Sequence, residues 1–389
     1  QEVTTRDLYD LASMTKATST ISAVMKLYDE SKLKLSASIS NYVPVLKGTD
    51  KSDITVRDAL LHESRLPAFI PYYMNAIDKD SYEGKLFNKT RTPLYSIEFD
   101  AATYAQDYKF KPDMVSTTPK AGFLPLADGL YINKTYNDTI VNEIANSKLT
   151  KRKGYLYSCL NFMLLKEVAE KISNKDLNTF VQENFFRKLG AVTTTYNPLT
   201  KFDKKRITPT EKDDFLRKQL VQGYVHDEGA AFMGGISGNA GLFSDANDIA
   251  KLYQMWLNKG TYGGEEYLSA KTCRLFMNTK SAISRRGLGF DKPETRTDKG
   301  SPTSRSTPAS TFGHTGFTGT CFWVDPDNNL IYILLSNRIN DKRSHNALSS
   351  LDIRSRIQEE IYLAIKRGNS PQETIINTNT YNEQTTDAE

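Results

Sequence analysis

The spacing of apolar residues predicts a helix near the start of the chain. Within residues 15–33, apolar side chains stand at Ile21, Val24, Met25 and Tyr28, in steps of three and four. Such steps place the side chains on one face of a helix. We therefore expect this face to be buried against the rest of the protein.

Two runs rich in β-branched and aromatic residues predict a hairpin towards the other end. Residues 320–324 (TCFWV) and 330–336 (LIYILLS) flank the turn-forming stretch 325–329 (DPDNN). Helices are predicted before and after the hairpin, over residues 247–257 and 347–367. This part of the chain therefore combines a sheet with helices.

The same pattern divides the chain into segments. Residues 1–67 and 230–367 carry the predicted helices and hairpin, and we expect them to form one α/β domain. Residues 68–229 are irregular and polar, with few long periodic segments. The tail, residues 368–389, is rich in Asn, Thr and Gln with hardly any apolar residue, so we expect it to be disordered.

Composition narrows the class of protein. Of 389 residues, 39% are hydrophobic and 25% are charged, as in ordinary globular domains. No apolar run approaches the roughly 20 residues of a membrane span, and no basic–aromatic array points to nucleic acid. The three cysteines are odd in number and scattered, which argues against a disulfide framework. At a net charge of +5, the basic clusters at residues 151–153 and 204–206 are either solvated surface or sites that attract an anionic cell-wall polymer.

Candidate chemistry begins with Ser13 and Lys16, three positions apart at the start of the first predicted helix. Residues at this spacing share a helix face. The lysine can take the serine proton if burial or a nearby cation keeps its amine neutral. Apolar residues 8–12 would deliver the serine to a helix N-terminus, where free backbone N–H groups stabilise negative charge. The spacing recurs at Ser31 and Lys34 in a polar segment, so it needs support from elsewhere.

Two further segments give that support. Tyr157 stands just before the amphipathic run at residues 160–172, and a phenol with two cations near it shares its proton more easily. His314, Thr315 and Gly316 precede the first hairpin strand. Small residues there let a substrate backbone lie along the strand edge.

The order S-x-x-K, then Y-S-x, then H-T-G resembles the penicillin-recognising serine hydrolases, which include class C β-lactamases, D-alanyl peptidases, D-aminopeptidases and related esterases. Supporting stretches occur at residues 54–67, 225–230, 238–244 and 286–291. The last three are similar to a Bacteroidetes-type branch, whose module often lies behind a β-N-acetylglucosaminidase. The similarity covers nearly the whole chain before the tail.

This resemblance implies a fold and a class of reaction. The fold is α/β, with a β-lactamase-like antiparallel sheet flanked by helices, and residues 68–229 form a mostly helical or irregular insertion. The reaction is hydrolysis through an acyl-enzyme, without a metal or other cofactor. The implied substrate is a small peptide, amide, ester or β-lactam of cell-wall type, in the periplasm or cell envelope of a bacterium. An upstream glycosidase domain is a candidate partner in a longer chain.

The resemblance also assigns roles. Ser13 is the nucleophile, and Lys16, assisted by Tyr157, removes its proton. Backbone N–H groups of Ser13 and Phe317 stabilise the oxyanion. The substrate-binding and oxyanion set comprises Cys159, His314, Thr315, Gly316 and Phe317.

The chain departs from the family pattern at four places. Cys159 replaces an Asn or Asp and should lose a polar contact to the substrate or to Lys16. His314 replaces a lysine, and an unperturbed imidazole near pKa ~6.5 is mostly neutral at pH 7. Arg65 replaces a glycine. Only twelve residues precede Ser13, so we expect the N-terminal strands of the family to be missing, either because the chain is a C-terminal piece or because its sheet is incomplete.

A rival interpretation is a catalytically weak binding or accessory module with the same fold. Cys159, Arg65 and the short N-terminal segment favour it, whereas the retained serine, lysine and tyrosine argue against it.

Other motifs are weaker. Residues 234–241 lack the G-K-[ST] ending of a phosphate loop and are expected to form a turn against the catalytic helix. Consecutive residues such as 226–228 rarely converge on one metal ion.

Overall fold

The computed structural model describes residues 2–151, 153–340 and 342–368. Its α-helices are α1 (Ser22–Asp29), α2 (Val56–Leu61), α3 (Tyr136–Asn146), α4 (Leu160–Ser173), α5 (Leu177–Val181), α6 (Glu228–Phe232), α7 (Ala246–Leu257), α8 (Ala270–Asn278), α9 (Ala347–Ser350) and α10 (Ile353–Gly368). Two π-helical turns, Lys16–Ile21 and Gln182–Phe186, adjoin α1 and α5.

Short strands alternate with these helices. They are β1 (Tyr9–Asp10), β2 (Phe87–Asn88), β3 (Ile97–Asp100), β4 (Thr103–Ala105), β5 (Val115–Ser116), β6 (Phe123–Ala127), β7 (Leu130–Asn133), β8 (Thr195–Tyr196), β9 (Glu211–Asp213), β10 (Gln219–Val221), β11 (Leu242–Ser244), β12 (Thr261–Tyr262), β13 (Glu265–Glu266), β14 (Phe312–Thr315), β15 (Cys321–Asp325) and β16 (Leu330–Leu334).

The predicted hairpin is confirmed as β15 and β16. With β14 it forms an antiparallel sheet, in the order β14–β15–β16. Every residue of β15 is buried because its two faces pack on different helices. Phe322 stacks on Tyr253 of α7, with ring centroids 4.0 Å apart, whereas Trp323 packs with Ile361 of α10. The predicted antiparallel sheet flanked by helices is therefore confirmed, and among the described residues β16 lies at its edge.

The predicted helices are present with shifted ends. The helix expected over residues 247–257 is α7, which begins after Asp245, whose carboxylate accepts the Asp248 N–H at 2.9 Å. The helix expected over residues 347–367 is divided into α9 and α10. The first helix ends at Asp29 rather than at about residue 33, and it opens with the π-helical turn.

The first helix, formed by the first π-helical turn and α1, crosses the core. All residues of the π-helical turn are buried. The glycine-rich residues 234–241 pack against this helix, as predicted: Thr20 Oγ1 donates to the Gly238 carbonyl at 2.8 Å. A Cβ at Gly238 would lie 1.9 Å from the Phe162 carbonyl oxygen of α4, so only glycine permits this close packing.

Residues 68–229 contain α3, α4 and α5 together with small antiparallel sheets, in the orders β2–β4–β3, β5–β7–β6 and β10–β9. Their strands are two to five residues long. α4 packs against α1 and α2, which places this interval in contact with the first helix. The division into a sheet domain and an insertion stays a prediction.

Of the predicted tail, only Gly368, the last residue of α10, lies within the described residues.

Candidate active site

The chain reaches Ser13 through a tight turn. Ala12, after β1, has φ +46°, a left-handed conformation that costs an L-residue energy. Asp10 holds the turn: its Oδ1 accepts the Ala12 N–H at 2.8 Å, and its Oδ2 accepts the His226 N–H at 2.7 Å. Helical structure begins at the next residue, Met14, so the serine stands at a helix N-terminus.

Lys16 is completely buried one helical turn from Ser13. Its Nζ donates to Ser13 Oγ at 2.9 Å, to the Asn239 carbonyl at 3.0 Å and to Cys159 Sγ at 3.5 Å. The same Nζ lies 5.2 Å from the centroid of the Tyr157 ring. The lysine therefore joins the serine to two segments that are far from it in sequence.

The direction of the Lys16 pKa shift differs from the sequence expectation. Burial acts to lower the pKa of Lys16, but the opposing charges of Cys159 and Tyr157, when they ionise, raise this pKa above its ordinary value. Burial raises the pKa of the Cys159 thiol, so that group is neutral near pH 7. This raised pKa does not favour the neutral amine that the sequence analysis required.

His62 holds Tyr157 in place. The two ring centroids are 4.5 Å apart. His62 Nδ1 accepts the Ser158 backbone N–H at 3.1 Å and lies 3.2 Å from the Asn161 side-chain nitrogen. Burial, with nearby cations, keeps the pKa of His62 well below its ordinary value. A neutral imidazole thus fixes the loop between α3 and α4 that carries the tyrosine.

Arg286 is a second cation beside Tyr157. Its side chain is buried, and its Cζ lies 5.0 Å from the Tyr157 ring centroid. Nε donates to Tyr155 Oη at 3.1 Å, and Nη2 lies 3.4 Å from Asp291 Oδ2. In the described part of the chain, Nη1 has no hydrogen-bond partner. Lys16 and Arg286 are therefore two basic side chains beside the phenol, and their effect on its proton stays a prediction.

His314 lies in the same group but carries no charge. Its ring is buried 6.3 Å from the Tyr157 ring, and its Nδ1 donates to the Thr315 carbonyl at 2.7 Å. Burial, together with the Arg286 and Lys16 cations, lowers the pKa of His314 to about 3. The imidazole is thus neutral at pH 7, as the sequence analysis expected, and its pKa lies below the unperturbed value because the ring is buried beside Arg286 and Lys16. Nε2 remains as a buried acceptor.

The segment after β14 packs directly on the nucleophile turn. Thr318 Oγ1 donates to the Asp10 carbonyl at 2.8 Å, and Thr320 Oγ1 donates to the Leu11 carbonyl at 3.1 Å. A Cβ on Gly316 would lie 2.6 Å from the Leu11 oxygen, so glycine is required for this approach. The end of β14, at Thr315, is thereby brought close to the serine.

Two backbone donors are free where these segments meet. The N–H groups of Ser13 and Phe317 donate to no acceptor within the described ranges. The Phe317 side chain is half exposed and stacks on His226, with ring centroids 5.3 Å apart, while Arg338 lies 4.7 Å from its centroid. These contacts hold the Phe317 segment in place.

Two departures from the family pattern have visible consequences. Cys159 was expected to lose a polar contact, but its sulfur keeps one to Lys16 as a weak acceptor. Arg65 adopts φ +65°, the conformation for which glycine is usual. Its Nε and Nη2 donate to the Thr150 carbonyl at 3.0 and 2.8 Å, which ties it to the loop that leads to Tyr157.

Four residues that adjoin the site had no role in the sequence analysis: Asp10, His62, Asn239 and Arg286. Three of them lie within the stretches that supported the resemblance, at residues 54–67, 238–244 and 286–291. The only signal was this membership, since nothing in the local pattern distinguishes them from neighbouring polar residues.

Other kinds of site are not evident. Among the residues with described positions, no three His, Cys, Asp or Glu side chains are grouped as metal ligands. His226 Nε2 lies 2.8 Å from Glu211 Oε2, and Glu228 Oε1 accepts from Arg343 at 2.7 Å. None of the described helices is long and apolar enough to cross a membrane.

Comparison with known proteins identifies relatives along most of the chain. The family model described as "Beta-lactamase" matches residues 1–352. A protein of Escherichia coli (strain K12), named "Putative D-alanyl-D-alanine carboxypeptidase", is 31% identical over 357 residues, which cover 87% of this chain and 70% of the relative.

Solved structures show the same fold at low sequence identity. A penicillin-binding protein homologue from Caulobacter crescentus superimposes with a TM-score of 0.55 at 16% identity, covering 87% of this chain and 80% of that one. A family VIII carboxylesterase gives a TM-score of 0.55 at 18% identity, covering 85% of this chain and 78% of that one.

Proposed function

The chain belongs to the Beta-lactamase family, and from this premise we propose that it is a serine hydrolase that forms an acyl-enzyme on Ser13. The observation that carries the proposal is the 2.9 Å hydrogen bond between buried Lys16 Nζ and Ser13 Oγ, beside Tyr157. A serine hydroxyl is a weak nucleophile until a neighbouring group takes its proton. Residues from the family's three motifs lie close together around this hydrogen bond, which supports the proposal.

Lys16 and Tyr157 act together as the base. When Lys16 is an ammonium, the Tyr157 oxygen, in its phenolate form, accepts the Ser13 proton. When a proton has moved from the ammonium to that oxygen, the Lys16 amine accepts it instead. Both arrangements hold the same number of protons, so they are two forms of one coupled base. This sharing reconciles the raised pKa of Lys16 with general base catalysis.

Acylation then proceeds at the free backbone donors. Ser13 Oγ attacks the substrate carbonyl, and the oxyanion is received by the N–H groups of Ser13 and Phe317, each worth about 3–4 kcal/mol in the best-studied case. The leaving amine or alcohol departs with the proton that Ser13 lost. Water then hydrolyses the Ser13 ester and releases the acid. No cofactor enters these steps.

The substrate class that we propose is a peptide ending in D-alanine, or a carboxylic ester, of cell-wall type. The name of the Escherichia coli relative supports the peptide, and the carboxylesterase fold supports the ester. Turnover of β-lactams should be poor, because His314 is not the cation that a lysine provides at this position. A periplasmic or cell-envelope location and an upstream glycosidase domain stay predictions.

The rival function is a weakly catalytic module that binds cell-wall peptides. One observation favours it: the pKa of Lys16 is raised, which does not favour the neutral amine that a lysine base needs. A protein of this kind would bind peptides ending in D-alanine without releasing D-alanine.

Hydrolysis assays on matched variants separate the two functions. We expect Ser13→Ala to abolish hydrolysis of p-nitrophenyl acetate and D-alanine release, with little change in melting temperature, because a hydroxyl facing a cleft packs little. Lys16→Ala should lose several orders of magnitude. Ser31→Ala, at the exposed second S-x-x-K, is the control and should keep full activity. Activity within a few fold in both Ser13→Ala and Lys16→Ala would refute the assignment.

A further inference from the structure

A cavity of about 600 Å³ lies beside the candidate active site. Three segments line it: residues 153–155, residues 283–285 and the loop that includes residues 294–300. Tyr155 forms part of its wall, and the Arg286 that donates to the Tyr155 hydroxyl also packs on the Tyr157 ring. The cavity is thus one layer of side chains away from the proposed base.

The lining is strongly positive. It carries four cations, Lys153, Arg285, Arg296 and Lys299, against one carboxylate, Glu294. Three loops therefore bring like charges together, and an anion in the cavity would be attracted most by those cations that no carboxylate of the chain pairs.

The one carboxylate is already neutralised. Arg296 Nε and Nη2 donate to Glu294 Oε1 and Oε2 at 3.0 and 2.8 Å. Arg285 Nε and Nη2 donate to Asp291 at 2.8 and 3.0 Å, which orients its guanidinium at the wall. In the described part of the chain, no carboxylate lies within ion-pair distance of Lys153 or Lys299. These two lysines are both exposed.

From this arrangement we propose that the cavity binds a carboxylate side chain of the substrate, so that the preferred acyl donor is an acidic peptide. The proposal rests on the proposed function, since it treats the cavity as an extension of the Ser13 site. Its position favours a group covalently linked to the scissile carbonyl over a separate ligand, because the cavity wall is the Tyr155 segment that leads to Tyr157. Ile283, an exposed apolar residue, lines the cavity and can contact the aliphatic part of such a side chain.

Binding to the Ser13→Ala protein tests this without depending on turnover. The probes are two N-acetylated peptides ending in D-alanyl-D-alanine, identical except for Glu or Gln at an upstream position, with that position scanned. Calorimetry should give a Kd at least tenfold lower for the best Glu peptide than for its Gln counterpart, as expected for charge-assisted hydrogen bonds. In the Lys153→Glu/Lys299→Glu variant this ratio should fall to near one.

The matched control is Lys47→Glu/Lys271→Glu, which changes net charge equally at exposed lysines outside the cavity. It should keep the Glu preference. The proposed site would be overturned if the Ser13→Ala protein with all its lysines bound the Glu and Gln peptides equally. It would also be overturned if both double variants lost the Glu preference to the same extent. Competition by inorganic phosphate without any Glu preference would also overturn it, since it would indicate a general anion site.

The ester assay keeps the two proposals separable. Ser13-dependent hydrolysis of p-nitrophenyl acetate with no Glu preference means that the cavity proposal fails and the proposed function stands. A lysine-dependent Glu preference with no hydrolysis of any probe means that the cavity proposal stands and the proposed function fails.

Discussion

At the scale of single residues, surroundings set the charge of the site more than residue type does. The pKa of Lys16 is raised although the side chain is buried, because the neighbouring Cys159 and Tyr157 are groups that can become anionic. His314 is buried and neutral, because the groups around it are cationic. Arg286 keeps a permanent charge beside the tyrosine. His314, at the position that carries lysine in β-lactamases, therefore offers a hydrogen-bond acceptor and not a cation. The cation beside Tyr157 comes instead from Arg286, in another segment.

The neutral state of His314 leads to a prediction about the stability of the folded protein at acid pH. The unfolded chain binds a proton on this histidine near pH 6.5, but the folded protein binds it only near pH 3. Between these values the unfolded state holds more protons, so stability falls as the pH is lowered through this window. At pH 5 the shifted pKa of His314 lowers the free energy of unfolding by about 2 kcal/mol relative to its value at neutral pH.

We expect His314→Gln to remove this part of the pH dependence. Urea unfolding at pH 7 and pH 5 should show a smaller loss of stability in the variant than in the natural chain. His345→Gln, at an exposed histidine, is the control and should leave the loss unchanged. An equal loss in the natural chain and in His314→Gln would show that the imidazole already titrates normally.

The residues proposed to bear the chemistry were accessible from sequence, but their pKa shifts were not. Ser13, Lys16, Tyr157 and His314 stand in ordered motifs, and the fold brings them together. Protonation depends on burial and on distant neighbours, which no local pattern reveals. Arg286 illustrates this, since its relevance arises only from its distance to the Tyr157 ring.

At the scale of elements, long periodic segments were predictable and short irregular ones were not. The hairpin of β15 and β16 has two clear β-rich runs around a turn, and it folds as predicted. The π-helical turn Lys16–Ile21 has no sequence signal, although such turns are frequent at functional sites. The two-residue strands between residues 68 and 229 are too short to show alternation.

The junction between β14 and the nucleophile turn gives the prediction at this scale. Gly316→Ala places a Cβ 2.6 Å from the Leu11 carbonyl and 2.2 Å from Thr320 Oγ1. The backbone on either side of residue 316 is constrained by its contacts, so we expect the clash to be relieved by a displacement of the next residue. That displacement moves the Phe317 N–H away from Ser13. We expect kcat/KM for p-nitrophenyl acetate to fall at least tenfold, since small displacements of catalytic groups are costly.

Gly368→Ala is the control, because a Cβ there meets no atom within 4 Å. It should retain both activity and melting temperature. Circular dichroism will establish that the Gly316→Ala protein is folded. Full activity in that folded variant would mean that the close approach at Gly316 does not position the oxyanion donor.

At the scale of the whole molecule, the candidate site exists only in the folded chain. Ser13 and Lys16 come from its beginning, Tyr157 from the segment before α4, Asn239 from the glycine-rich turn and His314 from β14. The sheet and α7 hold β14, while α4 carries Cys159 to the lysine. Sequence order predicts which segments take part, but only packing produces the cationic cavity next to them.

Labelling with a fluorophosphonate, followed by intact-mass analysis and peptide mapping, tests the central claim most directly. The account predicts one adduct per folded chain, on Ser13, and none on Ser31 or after unfolding in urea, because the activated serine requires Lys16 and Tyr157 in place. Absence of any adduct on the folded chain, or labelling of Ser31 to the same extent, would contradict it.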